Sequence, residues 1–377
     1  MSKKHIPLLF LCVSVVLEVT ARIFPKFAES YVNYIFPLWV ETYGRITGLF
    51  PFSVGEWMLY FAVVLLLVWI LWSLATLVCK VCKHNYKLCK HKAYQKYSML
   101  LWWIVGIVSM IMTLNCFLLY QVPTVAERFE LIEGDGKENA YGKEQLAILR
   151  DYVVEQANKL SEQMARDEQG YILTDVDLEQ TAREEMKRLG EQFPNLKGYY
   201  PKPKKFLASE FFSQQYIMGY YFPFSMEANY NDLMYVVNKP ATMCHELSHL
   251  KGFILEDEAN FIGYLACVDS TEPLFQYSAY LSVIAFLDND FYDAVGEVEY
   301  WKHPAISVQV KKDDIFLTEE AWEQVEGTSV LDTDTVQQAS YDFLETTLNL
   351  NGVEDGLESY SRVVELLLLY YDGKLYS

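Results

Sequence analysis

Cysteines and basic side chains are scarce in residues 121–377 of this 377-residue chain. Of the seven cysteines only Cys244 and Cys267 fall in this part, which excludes a disulfide framework as the source of its stability. The same residues hold 20 Lys and Arg against 46 Asp and Glu. An excess of negative charge this large repels phosphates, so we expect no binding of nucleic acid.

Acidic side chains are scarce in residues 1–120 instead, where 11 Lys and Arg stand against 4 Asp and Glu. Three apolar runs lie there, near residues 6–24, 57–78 and 98–120, and the last two carry no charge and are long enough to cross a bilayer. The first begins like a signal peptide, but no small-x-small cleavage site follows it, so we predict a retained span. The sequence predicts a three-span α-helical membrane anchor over 1–120 and a second domain over 121–377.

Lysines set the expected orientation of these spans. Six lie between the second and third runs, at Lys80, Lys83, Lys87, Lys90, Lys92 and Lys96. The positive-inside rule therefore predicts that the loop 79–97 is cytoplasmic, as is the N-terminus with Lys3 and Lys4. Three crossings then place residues 121–377 on the extracytoplasmic side. We expect a multi-pass protein of the cell membrane, with the lipid bilayer as a partner.

A His-Glu-x-x-His motif begins at His245. Asn238 before it and Gly252 after it are typical of a helix start and a left-handed helix exit, so we predict one short helix. On that helix His245 and His249 lie four residues apart and present both imidazoles from one face. Two imidazoles are two of the three protein ligands of a catalytic zinc site, and Glu246 beside them can act as the general base.

A third zinc ligand must come from elsewhere in the chain. Glu256 and Glu258 lie nearest, at the start of a helix predicted over 256–268, and a carboxylate there can turn back to the metal. Asp257 would point away from a ligand on either flank. His303, much further along the chain, is another candidate for the third ligand.

The remaining pattern indicates a mostly helical α+β domain. We predict helices over 142–166, 177–190, 256–268, 273–287, 333–350 and 354–371, and a strand over 306–310. Two short strands are expected within 214–237, as a small sheet beside the motif helix, with the first at the sheet edge because of Pro223. An edge strand there offers free backbone groups to an extended peptide.

The motif helix followed by Glu256-Asp257-Glu258-Ala259-Asn260 resembles the gluzincin metallopeptidases, in which the second helix bears Glu-x-x-Ala-Asp. The resemblance implies a zincin-like fold, Zn²⁺ as cofactor and Glu256 as the third ligand. It also implies that Asn260 takes the place of the acid that hydrogen-bonds a ligand histidine. Only six residues separate His249 from Glu256, fewer than in those peptidases, so Glu258 stays as the alternate ligand.

The whole chain resembles a group of uncharacterised bacterial membrane proteins. They share the N-terminal spans, a Gly-Tyr-Tyr-Phe-Pro-Phe strand that here runs from Gly219 to Phe224, the zinc motif, and a late Ser-Tyr-x-Arg-Val-Val segment at 359–364. That resemblance implies a peptidase without a defined substrate.

From these residues we expect a membrane-anchored zinc metallopeptidase that hydrolyses peptide bonds of envelope or extracytoplasmic polypeptides. Zinc-activated water would attack the peptide carbonyl, with Glu246 as the general base. The developing oxyanion needs a stabiliser, and Tyr360, Arg362, Tyr264 and His303 are the candidates.

Rival interpretations remain open from the sequence. One is a non-catalytic zinc-binding membrane sensor or cell-envelope scaffold derived from a peptidase fold, although such a protein would not need Glu246. A structural zinc site would be favoured by a fourth ligand such as His303 close to the metal. An intramembrane protease is excluded, because charged residues and Pro240 interrupt the stretch 232–256.

Overall fold

The computed structural model describes residues 5–81, 92–131, 141–351, 353 and 362–376. Three of its helical segments are long and apolar enough to cross a membrane: Ile6–Ile23, Val54–Cys79 and Lys92–Gln121. They confirm the three predicted span candidates. Their apolar side chains are mostly exposed, as expected for helices whose surroundings are lipid.

The first part of the chain consists of helices and short helical turns. In chain order they are α1 (Ile6–Ile23), α2 (Pro25–Tyr34), α3 (Phe36–Trp39), a π turn (Val40–Gly44), α4 (Arg45–Thr47), α5 (Val54–Val81), α6 (Lys92–Asn115), a 3-10 turn (Phe117–Gln121) and α7 (Val125–Arg128). Helix α7 starts with a capping box: the Thr124 side chain accepts the Glu127 N–H, and the Glu127 carboxylate accepts the Thr124 N–H.

The second part contains the sheet and the larger helical bundle. Its elements are α8 (Lys143–Ser161), α9 (Leu178–Gln192), a 3-10 turn (Pro194–Leu196), β1 (Lys204–Lys205), α10 (Ser209–Gln214), β2 (Gly219–Phe222), β3 (Glu227–Tyr230), a 3-10 turn (Val236–Asn238), α11 (Lys239–His249), α12 (Glu256–Val268), α13 (Pro273–Val295), α14 (Glu297–Tyr300), α15 (Val308–Asp313), α16 (Glu319–Thr328), α17 (Thr333–Leu350) and α18 (Val363–Tyr371). The predictions for 256–268 and 333–350 are confirmed to the residue.

The strand predicted over 306–310 is wrong. Residues 308–310 begin α15 instead, because the Ser307 side chain accepts the Val310 N–H and caps a helix. Val310 is buried while Val308 is exposed, so the alternation that favoured a strand does not correspond to two faces of a sheet. Helix α18 begins at Val363, and residues 354–361 of its predicted start lie outside the described part of the chain.

The sheet has three strands in the order β1-β3-β2. Strand β1 pairs parallel to β3, and β2 pairs antiparallel to it with Gly219 opposite Tyr230 and Phe222 opposite Glu227. Strand β2 therefore lies at an edge, as Pro223 predicts. The small sheet beside the motif helix is confirmed.

The buried core continues across residue 120. Val32 and Leu119 belong to the same apolar cluster as Leu247 and Phe253. Polar contacts reinforce this packing: the Asn115 side-chain amide donates to the Pro223 carbonyl at 3.0 Å. The ends of the spanning helices thus support the β2–β3 hairpin directly.

Candidate metal centre

Helix α11 carries the motif and ends as its sequence predicts. Asn238 precedes the helix, although its side chain donates to the Ile315 carbonyl at 2.8 Å and not to the helix itself. Gly252 follows with φ +81°, a left-handed conformation that favours glycine. A Cβ at Gly252 would also lie only 2.8 Å from the Val32 Cγ1 atom. The exit from α11 is therefore fixed by backbone conformation and by contact with α2.

Helix α12 lies close against α11 because of a glycine. A Cβ at Gly263 would lie 2.8 Å from the Ala241 carbonyl oxygen and 3.3 Å from the backbone nitrogen of His245. This close approach brings the first turns of α12, with Glu256 and Asn260, to the motif histidines.

Three side chains form the centre of the cluster. The potential ligand atoms of His245, Glu246 and His249 all lie within 4.8 Å of one another. Glu256 joins them through its Oε2 atom, 3.0 Å from His245 Nε2, and Glu246 Oε1 lies 3.9 Å from the same nitrogen. The two imidazole rings are nearly perpendicular, with centroids 4.9 Å apart.

Each histidine has an acceptor at its Nδ1 atom. His249 Nδ1 lies 2.7 Å from the Phe253 carbonyl oxygen, which can only accept, so this nitrogen carries the proton. His245 Nδ1 lies 2.9 Å from Asn260 Oδ1. Such partners fix the ring orientation and turn Nε2 toward a metal. The structure thus places Asn260 within hydrogen-bond distance of a motif histidine, while the Phe253 carbonyl has no side-chain signal in the sequence.

Burial and neighbouring charges shift the pKa values of all four side chains in the cluster. Burial lowers the pKa of His249 to about 4 and raises the pKa of Glu246 to about 8. Burial would also lower the pKa of His245, but the adjacent Glu256 carboxylate outweighs it and raises that pKa to about 9. The same contact holds the pKa of Glu256 below its usual range despite burial. Without a metal, a protonated His245 pairs with an ionised Glu256.

Glu246 is packed beneath the edge strand. A Cβ at Gly219 would lie 2.7 Å from Cγ and 2.8 Å from Cδ of Glu246, so only glycine fits at this point of β2. Oxygen Oε2 of Glu246 is buried and has no hydrogen-bond partner among the described residues. A buried carboxylate oxygen is rarely left in this way unless it serves a ligand or a reaction.

The alternate ligand Glu258 points elsewhere. Its Oε1 atom accepts the Val125 N–H at 2.7 Å, at the start of α7. Burial raises the pKa of Glu258 to about 8 although this N–H opposes the shift. Asp257 pairs with Arg362 at 3.2 Å. Of the neighbouring acids, Glu256 is thus the one that the structure places against a motif histidine.

The predicted oxyanion stabilisers are engaged in other contacts. His303 Nδ1 pairs with Asp151 at 2.7 Å, and the buried Tyr264 hydroxyl bonds to that of Tyr371 at 2.6 Å. Arg362 pairs with Asp257, and Tyr360 lies outside the described residues.

Tyr220 on β2 is a site residue that the sequence analysis missed. Tyr220 is 44% exposed overall, but burial around its hydroxyl end, with Cys116, Glu246 and Glu256 in the vicinity, raises its pKa to about 12. The hydroxyl therefore keeps its proton at ordinary pH and can donate a hydrogen bond. The only sequence signal was its place beside Gly219 in an aromatic edge strand.

The fold defines a multi-helix membrane protein whose mostly helical second part carries a buried His-Glu-His cluster beside a three-stranded sheet. A family model described as Protein of unknown function (DUF3810) matches residues 31–368. The chain belongs to this family, which confirms the resemblance to a family of uncharacterised proteins. No curated protein and no solved structure matches the chain.

Proposed function

We propose that this chain is a membrane-anchored zinc metallopeptidase, with His245, His249 and Glu256 as ligands and Glu246 as the general base. One observation carries the proposal. Both motif histidines are tied at Nδ1 to acceptors, so their Nε2 atoms are the ones that face the other cluster residues: His245 Nε2 lies 3.0 Å from Glu256 Oε2, beside Glu246, whose buried Oε2 has no hydrogen-bond partner among the described residues.

The donor set suits zinc. Two imidazole nitrogens and one carboxylate are a frequent ligand set of catalytic zinc, which keeps a fourth position open. When bound there, zinc supplies Lewis-acid polarisation of a carbonyl and lowers the pKa of water toward about 7. A dication would also offset the burial of Glu246 and favour its ionised form, which a general base requires.

The side chains then have separate tasks. Glu246 accepts the proton of the attacking water and carries it to the leaving amide nitrogen. Asn260 and the Phe253 carbonyl hold the two imidazoles in position. The Tyr220 hydroxyl is a hydrogen-bond donor for the oxygen of the scissile carbonyl. The outer edge of β2, next to Glu246, pairs with no strand in the described part of the chain and is suited to bind an extended peptide by strand addition.

The substrates would be envelope or extracytoplasmic polypeptides, because the lysine pattern places residues 121–377 on that side. The rival interpretation as a zinc-binding sensor or scaffold has less support. Such a protein would not need the Glu246 side chain, and a structural zinc site would be favoured by a fourth ligand such as His303, which is bonded to Asp151 and packs on the Phe291 ring instead.

Metal removal tests the function. We expect the full chain, purified in lipid nanodiscs, to contain about one zinc per chain and to cleave members of a random peptide library. A chelator should abolish cleavage and added zinc should restore it. Absence of tightly bound zinc, or cleavage that persists in the chelator, would contradict the proposal.

Gly219→Ala is expected to lower the hydrolysis rate strongly while it leaves the zinc ligands unchanged. The added methyl group would displace the Glu246 carboxylate, and a shift of about 1 Å in a catalytic group can cost a hundredfold in rate. Zinc content should stay unchanged, since no ligand moves. The matched control is Gly327→Ala, where a Cβ meets nothing within 4 Å. Equal rates for the two variants would contradict the role given to Gly219.

Zinc binding is expected to release a proton from His245. Glu256 keeps this imidazole protonated up to a pKa of about 9, and a zinc ligand must be neutral. Near neutral pH about one proton should therefore leave His245 for each zinc bound, and the apparent affinity should weaken about tenfold for each unit of pH lost. Calorimetry in buffers of different ionisation heat counts this proton.

Two variants isolate His245 in that measurement. The Glu246→Gln background removes a second group that titrates in the same range. Adding Glu256→Gln removes the carboxylate that raises the pKa of His245. This variant is expected to bind zinc weakly, so it is titrated at saturating zinc, where proton release per bound zinc near neutral pH should fall toward zero. An unchanged proton count would show that Glu256 does not hold His245 protonated.

A further inference from the structure

Large apolar side chains are exposed together on α10, on α17 and on the loop that precedes α17. We call this the α10–α17 surface; its main members are Leu207, Phe211, Val330, Leu331, Phe343 and Leu350. Val330 is 96% exposed and Phe343 and Leu350 are each 72% exposed. A groove between α10 and the start of α17, lined by Phe211, Leu331 and Val336, continues the surface inward. Exposed apolar side chains in such a group mark an interaction site.

Helix α17 is amphipathic along its whole length. Val336, Phe343 and Leu350 recur every seven residues, so they share one face. Gln338 and Glu345 lie on the opposite face. The helix contains no Lys or Arg, and its charged side chains are all acidic. Val336 on this face is already buried, whereas Phe343 and Leu350 leave their part of it exposed to an apolar partner.

Hydrogen bonds fix this surface to the ends of two spans. Glu56, in the first turn of α5, accepts the Leu207 N–H at 2.7 Å and the Ala208 N–H at 2.8 Å. At the other end, Arg22 in the last turn of α1 donates to the Leu350 carbonyl at 3.0 Å. The Gln214 side chain connects α10 to α17 through the Leu331 carbonyl at 2.9 Å.

These contacts orient α17 relative to the bilayer. Spans α1 and α5 are consecutive, so the end of α1 and the start of α5 meet the same membrane surface. An 18-residue helix is about 27 Å long, enough to reach from one span end toward the other along that surface. Exposed aromatic rings continue the surface onto α5, where Phe52 and Trp57 have ring centroids 6.4 Å apart. Such rings prefer the membrane–water interface.

We propose that the α10–α17 surface docks on the lipid bilayer, at the membrane surface where α1 ends and α5 begins. Phe211, Leu331, Phe343 and Leu350 enter the boundary between headgroups and acyl chains, and the acidic face of α17 points to water. The second part of the chain is thereby held against the membrane by an apolar contact additional to its three spans. This proposal does not depend on the peptidase function.

Photo-crosslinking of the full chain tests it. A benzoylphenylalanine is placed at position 343 or 211, or at position 338 on the opposite face of α17 as the matched control. After irradiation in phosphatidylcholine nanodiscs, mass spectrometry counts the lipid adducts. We expect at least about fivefold more lipid adduct at 343 and 211 than at 338, with no change when phosphatidylglycerol replaces part of the phosphatidylcholine, because the contact is apolar.

Two outcomes would overturn the proposal. Equal lipid labelling at 343 and 338 would mean that the surface faces water. Adducts from 343 to a second copy of the chain, in place of lipid, would identify a protein interface instead. Phe343 is mostly exposed, so the substitution leaves the fold intact, and the probe at 211 gives an independent reading from α10.

Discussion

Glu246→Gln is expected to reduce peptide hydrolysis by about 10²–10⁴-fold while zinc stays bound. The amide keeps the shape of the side chain but cannot accept a proton from water. The variant retains His245, His249 and Glu256, so metal content should match that of the wild type. The measurement is the cleavage rate of a library-selected peptide by the full chain in nanodiscs, together with zinc analysis of the same sample.

Glu258→Gln is the matched control for this result. Glu258 is also a buried carboxyl with a pKa of about 8, but it accepts the Val125 N–H, which a Gln amide oxygen can still do. We expect this variant to keep its zinc and most of its activity, whereas Glu256→Gln should lose zinc. Full activity in Glu246→Gln would show that Glu246 is not the general base. Loss of zinc in Glu258→Gln would show that Glu258 is the third zinc ligand.

Local signals were sufficient for the elements that carry the motif. Asn238 and Gly252 bracket α11 in the sequence, and the start of α12 at Glu256 follows from its acidic first turn. Pro223 identified β2 as an edge strand because proline cannot donate to a neighbour. The spans were equally predictable from the sequence, since a run of about 20 apolar residues is typical of a membrane-spanning helix.

Contacts between residues far apart in the chain could not be predicted from the sequence in this way. The choice between Glu256 and Glu258 depends on the Val125 N–H, which is 133 residues away in the sequence from Glu258. The strand expected over 306–310 was wrong because one cap, at Ser307, outweighed a short apolar alternation. Tyr220 was missed for a related reason, since only tertiary packing brings it close enough for Glu246 and Glu256 to raise its pKa.

The junction between the sheet and the spans was also invisible to the sequence. Lys204 lies in a basic stretch, yet its ammonium group is buried and donates to the carbonyls of Thr47 at 2.8 Å and Phe52 at 3.0 Å, and to Glu227. Glu227 in turn accepts the Gly55 N–H at 2.8 Å, at the start of α5. The ion pair is almost fully buried, with 6% of the Lys204 side chain and 1% of the Glu227 side chain exposed.

Breaking this pair is therefore expected to destabilise the full chain strongly. Glu227→Gln leaves a buried ammonium without a counter-charge and should cost about 3–5 kcal/mol. Lys204→Met should cost less, because the Glu227 carboxylate keeps the N–H groups and the positive end of the α5 dipole. The double variant should recover part of the loss, since no unpaired charge remains.

The control is the neighbouring residue. Lys205 makes an exposed pair with Asp232 at 3.0 Å, and Lys205→Met should cost less than about 1 kcal/mol. Unfolding of the four variants and the wild type in one detergent gives the comparison. If Glu227→Gln were no less stable than Lys205→Met, the sheet would not depend on its contact with α5. If the expected order is found, residues 121–377 depend for stability on the first part of the chain. The segment between the first two spans supplies the carbonyls of Thr47 and Phe52 to a charge buried in the sheet, and the second span supplies the start of α5.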